Sequence, residues 1–224
     1  MATNTVVGSL TCSDGTNIPL KAELAEGTET ALTTDTAYTV IAANIGDFAL
    51  GKVVTSGLVT SDNGIAYAYI LRQGLVAALI PVGLKGVAFS ASPLCAPFRL
   101  QAGDILRVMN NTAADREASL MYYTNAGVSR IAVVTPTGGA TNSLVDLQTG
   151  NSIGDTIQGQ TIVKAMSTSV DGSKIETNGA YVVNAKGNVV GAVPMVDPSK
   201  MQPMFMDYRI PVDLNFQAQF LTNA

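Results

Sequence analysis

Histidine and tryptophan are absent from this chain of 224 residues, and charged residues make up only 13% of it. Without imidazole there is no Ser-His-Asp or Cys-His relay, no histidine-ligated zinc, and no side chain whose ordinary pKa lies near neutrality. The 13 basic residues are outnumbered by 17 acidic ones and are spread singly, giving a net charge of −4. A surface that neutralises phosphates needs them clustered, so direct contact with nucleic acid is not expected. The two cysteines, Cys12 and Cys95, form neither a metal knuckle nor a redox CxxC, and buried free thiols are the expected state. The most apolar run, residues 74–84, contains Pro81. It falls well short of the about 20 residues a spanning helix requires, so membrane contact is not expected. Met1-Ala2-Thr3-Asn4-Thr5-Val6 has neither a positive segment nor an apolar one, and no signal peptide is expected from it.

The remaining chemical motifs are fragments. Thr137-Gly138-Gly139 lacks the Gly-Lys-Ser/Thr that completes a phosphate-cradling loop. Asp115 and Glu117 would share one face of a strand as a glycosidase pair does, but beside Arg116 they read as a solvated edge. Asp14-Gly15-Thr16-Asn17 and Asp171-Gly172-Ser173 offer oxygens to a cation without an EF-hand's ligand spacing, so both read as turns. Asn110-Asn111-Thr112 matches a glycosylation sequon, a pattern frequent by chance. No catalytic, cofactor-binding or metal-binding residue is assigned, no cofactor is expected, and the chain does not read as an enzyme.

What the chain has is apolar and neutral-polar bulk. Hydrophobic residues reach 47% while charge is about half the norm of 25%. Protein interfaces are depleted in charge at their cores, whereas a free monomer covers itself with Lys, Glu, Arg and Asp. The composition therefore points to a surface covered by copies of the same chain or by other partners.

Short β-rich runs are separated by turn signals along the whole length: Asp14-Gly15, Gly46-Asp47, Asp62-Asn63-Gly64, Ala102-Gly103-Asp104, Asn125-Ala126-Gly127, Asn178-Gly179 and Lys186-Gly187-Asn188. No capped long helix and no fixed-period repeat is apparent. These features predict an all-β antiparallel sandwich forming one domain over residues 1–224, with the Gly- and Thr-rich stretch 135–156 as the place for a sub-boundary or exposed loop.

The strongest pattern lies at the end. Met204, Met206, Tyr208, Ile210, Val212, Leu214, Phe216, Ala218 and Phe220 alternate with a mostly polar set from Phe205 to Gln219. Alternate residues of an extended chain face opposite ways, so this is an apolar and a polar face of a long β segment. Pro211 cannot donate to a ladder and should split it into an approach, 204–210, and a final strand, 212–220. The segment either closes the chain's own sheet or reaches a neighbouring copy. Met204, Met206, Tyr208, Ile210, Val212, Leu214, Phe216 and Phe220 are the candidate subunit-interface residues, with Met195 and Met201 extending a soft methionine cluster suited to irregular contacts.

Residues 98–109, the meander over 161–193 and the terminal strand 212–220 together resemble, in style, virion structural proteins of the single jelly-roll capsid or capsid-associated type. The resemblance implies a jelly-roll-like sandwich of eight strands with a long C-terminal strand or arm. It implies self-assembly, other virion proteins as further partners, and a place in a virion assembled in the host cytoplasm. The acidic balance fits a double-stranded DNA virus of bacteria or archaea better than an RNA virus shell with a basic arm. Two other readings stand beside it: an extracellular filament or surface-layer subunit joined by strand addition, and a carbohydrate-binding or adhesin module, which a chain without tryptophan suits poorly.

Overall fold

The computed structural model describes residues 3–32, 35–36, 39–40, 44–84, 91–111, 117–135, 141–169, 179–194 and 203–221. The chain is all-β, built of antiparallel sheets, and divides into two compact units. Unit 1 comprises Met1–Ala113 with Pro198–Met204, and unit 2 comprises Ala114–Asp197 with Phe205–Ala224. The stretch 135–156 lies inside unit 2, where it supplies a strand and a helical turn.

Unit 1 contains β1 (Thr3–Cys12), β2 (Asn17–Ala25), β3 (Thr28–Leu32), the two-residue β4 (Asp35–Thr36) and β5 (Thr39–Val40), and α1 (Ile45–Phe48). It continues with β6 (Val53–Ser61), β7 (Ile65–Arg72), β8 (Leu75–Ile80), β9 (Val82–Leu84), β10 (Ser92–Arg99) and β11 (Ile105–Asn110). One sheet runs β10-β6-β1-β2 with β9 beside β6, and the other runs β3-β11-β7-β8. Alternation decides what fills the space between them: Val6, Leu10, Ile18 and Val59 from the first sheet and Ile70, Leu106 and Val108 from the second are fully buried. Pro81 lies between β8 in one sheet and β9 in the other, a position where a residue without an N–H costs no ladder bond.

Unit 2 contains β12 (Ala118–Thr124), β13 (Ser129–Val134), β14 (Thr141–Asp146), α2 (Ile153–Thr156), β15 (Thr161–Ser169), β16 (Gly179–Val183), β17 (Val189–Pro194), β18 (Met206–Pro211) and β19 (Gln217–Leu221). Its strands form one sheet in the order β17-β16-β19-β14-β13-β12-β15-β18. The sheet curls until its end strands approach: a Cβ on Gly191 of β17 would stand 2.7 Å from Ile210 Cγ2 of β18, although no ladder joins the two strands. Leu120, Tyr122, Ala132, Leu144, Ile162, Val182, Ile210, Val212, Ala218 and Phe220 form the core.

The two units repeat one another, which the sequence reading did not detect. Strands β12, β13 and β14 follow one another and β15 returns beside β12, and β16, β17 and β18 follow one another with β19 returning beside β16. That is two successive Greek keys. In unit 1 the same positions are held by β1, β2, β3 and β6, then β7, β8, β10 and β11. With β8 and β9 counted as one bent strand, each unit has eight principal strands in two Greek keys, the jelly-roll style of chain. The agreement extends to single bonds. Gly46 N donates to Asp104 O and Gly154 N to Phe216 O, both at 3.0 Å. Leu100 N donates to Lys52 O at 2.8 Å and Val212 N to Gln160 O at 2.9 Å. Register slips fall at matching places, between Thr11 and Cys12 on β1 and between Tyr123 and Thr124 on β12.

Candidate interaction surface

The chain's end closes its own unit. β18 stops at Pro211, Val212 is held by its N–H to Gln160 O, and Asp213–Asn215 make a turn in which Asn215 has φ 65°. β19 then runs between β14 and β16. The apolar alternation over 204–220 thus spans two strands and a turn, and the eight candidates separate accordingly. Ile210, Val212 and Phe220 are buried in the core of unit 2, and Tyr208 and Phe216 are partly buried against it. Met204, Met206 and Leu214 are exposed. Leu214 lies in the turn, where alternation no longer dictates direction. Met195 and Met201 lie outside the described residues.

Exposed apolar side chains also lie at Leu50 and Leu75 in unit 1, at Val145 on β14, and on the two end strands of unit 2. Val189 and Val190 on β17 are 58% and 38% exposed, and Met206 on β18 is 48% exposed. Edge strands are normally guarded by charge, proline or a bulge. β18 has such guards in Asp207, Arg209 and Pro211, and Lys164 Nζ lies 3.1 Å from Asp207 Oδ1. β17, Val-Val-Gly-Ala-Val-Pro, carries no charge; its guards are a bulge at Val190, which the ladder with β16 skips, and proline at its last position. Sequence reasoning placed this strand but missed its exposure, because an unbroken apolar run reads as a strand buried on both faces.

In unit 1 the end strand β8, Leu-Val-Ala-Ala-Leu-Ile, is likewise uncharged and leaves Leu75 62% exposed, whereas the seam beside α1 is closed by charge. The Arg72 guanidinium at the end of β7 donates to Asp104 Oδ1 at 2.8 Å and Oδ2 at 2.7 Å, donates to Arg99 O at 2.7 Å, and stacks 4.4 Å from the centre of the Phe98 ring. Asp104, whose side chain is fully buried, also accepts from Gln101 N at 2.8 Å. Phe216 takes the place of Asp104 in unit 2.

The fragments set aside in the sequence have structural partners. Asp14 pairs with Lys52 and accepts from Thr16 N at 3.0 Å; the bond from Lys52 first, then those from Thr16, hold its carboxyl well below the usual range. Asn110 of the sequon is fully buried, donating to Ala25 O at 3.2 Å and accepting from Asn4 Nδ2 and Ser61 Oγ at 3.1 Å each, so a glycan has no access to it. Cys12 is buried, Cys95 half-buried, and neither is in a disulfide; burial, then the Asp14 charge, raises the Cys12 pKa. Among the described residues no three His, Cys, Asp or Glu side chains converge as a metal site would require, and no helix is long and apolar enough to cross a membrane. Asp115, Arg116, Thr137-Gly138-Gly139 and Asp171-Gly172-Ser173 lie outside the described residues.

These features define an all-β protein of two like-folded units, each with exposed apolar side chains on an uncharged end strand. No family model, curated protein or solved structure matches the chain.

Proposed function

We propose that this chain is a structural subunit that assembles with copies of itself, as a coat protein of a virus shell does, and that it performs no catalysis. The observation that carries the reading is the uncharged edge of β17, with Val189 and Val190 turned outward on a chain only 13% charged. Exposed apolar side chains on a strand paired along one edge only favour burial against another protein surface, at about 25 cal/mol per Å² of apolar area. The occupant proposed is a second copy, because a shell of identical chains supplies such a surface at high local concentration. The virion as location, and a double-stranded DNA virus of bacteria or archaea as its source, extend the same proposal on the strength of the acidic balance and the jelly-roll style.

Light scattering across a concentration series, with electron microscopy of the same samples, tests it. Oligomers or closed particles are expected, and Val189→Asp with Val190→Asp should shift the population towards monomer. A monodisperse monomer at high concentration would end the proposal.

A further inference from the structure

Unit 2 encloses polar groups where unit 1 has hydrocarbon. Tyr122 and Arg130 face each other across β12 and β13, and Asp146 of β14 lies opposite Ala132, two residues along from Arg130. Register puts all three on the inner face, which Leu120 and Ala132 share. The matching pair in unit 1 is Leu10 and Ile18, opposite each other on β1 and β2 and both fully buried.

Three atoms in this cluster are buried and have no hydrogen-bond partner: Tyr122 Oη, Arg130 Nε and Asp146 Oδ2. Asp146 Oδ1 and Arg130 Nη1 on the same side chains are engaged. Asp146 Oδ1 accepts from Thr149 N at 2.9 Å, Thr149 Oγ1 at 3.0 Å and Gln148 N at 3.1 Å. Arg130 Nη1 donates to Gln148 Oε1 at 3.0 Å and lies 3.8 Å from Asp146 Oδ1. The guanidinium thus has one outer nitrogen on Gln148 in an exposed bond and a buried Nε. Leaving a buried polar group unpaired is destabilising, and a buried carboxylate oxygen more so.

We propose that a fixed water lies among these three atoms and joins Tyr122 Oη, Arg130 Nε and Asp146 Oδ2. A buried water makes about three hydrogen bonds, and these atoms supply two donors and one acceptor. Arg130 and Asp146 balance in charge, so a neutral molecule fits where an ion would leave an excess. Burial first, then the Asp146 charge, raises the Tyr122 pKa, which keeps the phenol a donor.

A high-resolution crystal structure of the full chain tests this directly. One ordered water within about 3.2 Å of all three atoms is the expected result. A direct Tyr122–Asp146 hydrogen bond, or an empty site, overturns it. Denaturation of Tyr122→Phe, Arg130→Lys and the double variant supplies a second test. Each single change should lower the folding equilibrium constant roughly tenfold, and the double variant should lose much less than their product, since either change already removes the shared water. Fully additive losses count against the proposal.

Discussion

The two units share backbone bonds and differ in the chemistry those bonds surround. The helical turns on Ile45-Gly46-Asp47 and Ile153-Gly154-Asp155 each sit against the corresponding backbone of their own unit, and a Cβ on Gly46 would stand 1.9 Å from Gln101 O while one on Gly154 would stand 2.5 Å from Phe216 N. Only glycine fits there. Beside that turn unit 1 places the Arg72–Asp104 ion pair and unit 2 places Phe216, and one filling is as compatible with the backbone as the other. The cores vary in compensating ways too. Gly8 opposite Val59 in unit 1 becomes Leu120 opposite Ser167 in unit 2, exchanging which strand contributes the bulk. Backbone close approach constrains residue identity here, whereas side-chain filling is constrained mainly by volume and by the satisfaction of polar atoms.

The largest contrast should come from breaking the ionic filling of unit 1 and trimming the apolar one of unit 2. Arg72→Met leaves Asp104 buried and uncompensated and should cost about 3–5 kcal/mol in equilibrium denaturation, against about 1 kcal/mol for Phe216→Leu. Equal losses would remove the distinction between the two seams. The shared glycines come next. Gly46→Ala should cost about 3 kcal/mol and Gly154→Ala somewhat less, ordered by how closely the added carbon meets backbone; a neutral Gly46→Ala would show that the turn is free to move.

Alkaline pH probes one buried phenol in each unit. Burial, then Glu29 for Tyr69 and Asp146 for Tyr122, raises both pKa values in the folded state. A raised pKa stabilises fully below the unfolded value of about 10, and that stabilisation is lost as pH rises towards the folded value. The melting temperature should therefore decline above about pH 10, with the phenolate absorbance of these two residues appearing only as the chain unfolds. Titration of all seven tyrosines on the intact fold would contradict this. The smallest effect is expected on β17: Val190→Thr should change stability by no more than about 0.5 kcal/mol while weakening self-association in sedimentation.

Turn chemistry and period-two alternation were enough to read the all-β class and most strands from the sequence, because both act between residues close along the chain. Gly15, Gly64, Gly103, Gly127 and Gly187 mark turns with positive φ, and they are the same punctuation that separated the strands on first reading. The duplication stayed hidden because only backbone-constrained positions match, such as Ile45-Gly46-Asp47 with Ile153-Gly154-Asp155 and Pro81 with Pro194, and the spacing between matches slips wherever a loop differs in length. The apolar alternation over 204–220 was real, but whether a side chain on it met its own core or solvent was not written in it.

Composition, strand pattern and turn positions were settled by the amino-acid order alone, since they depend on local sterics and on the polarity of each residue. Tertiary packing alone decided that Ile210, Val212 and Phe220 close a core while Val189 and Val190 remain outside, because burial depends on which distant strand arrives alongside.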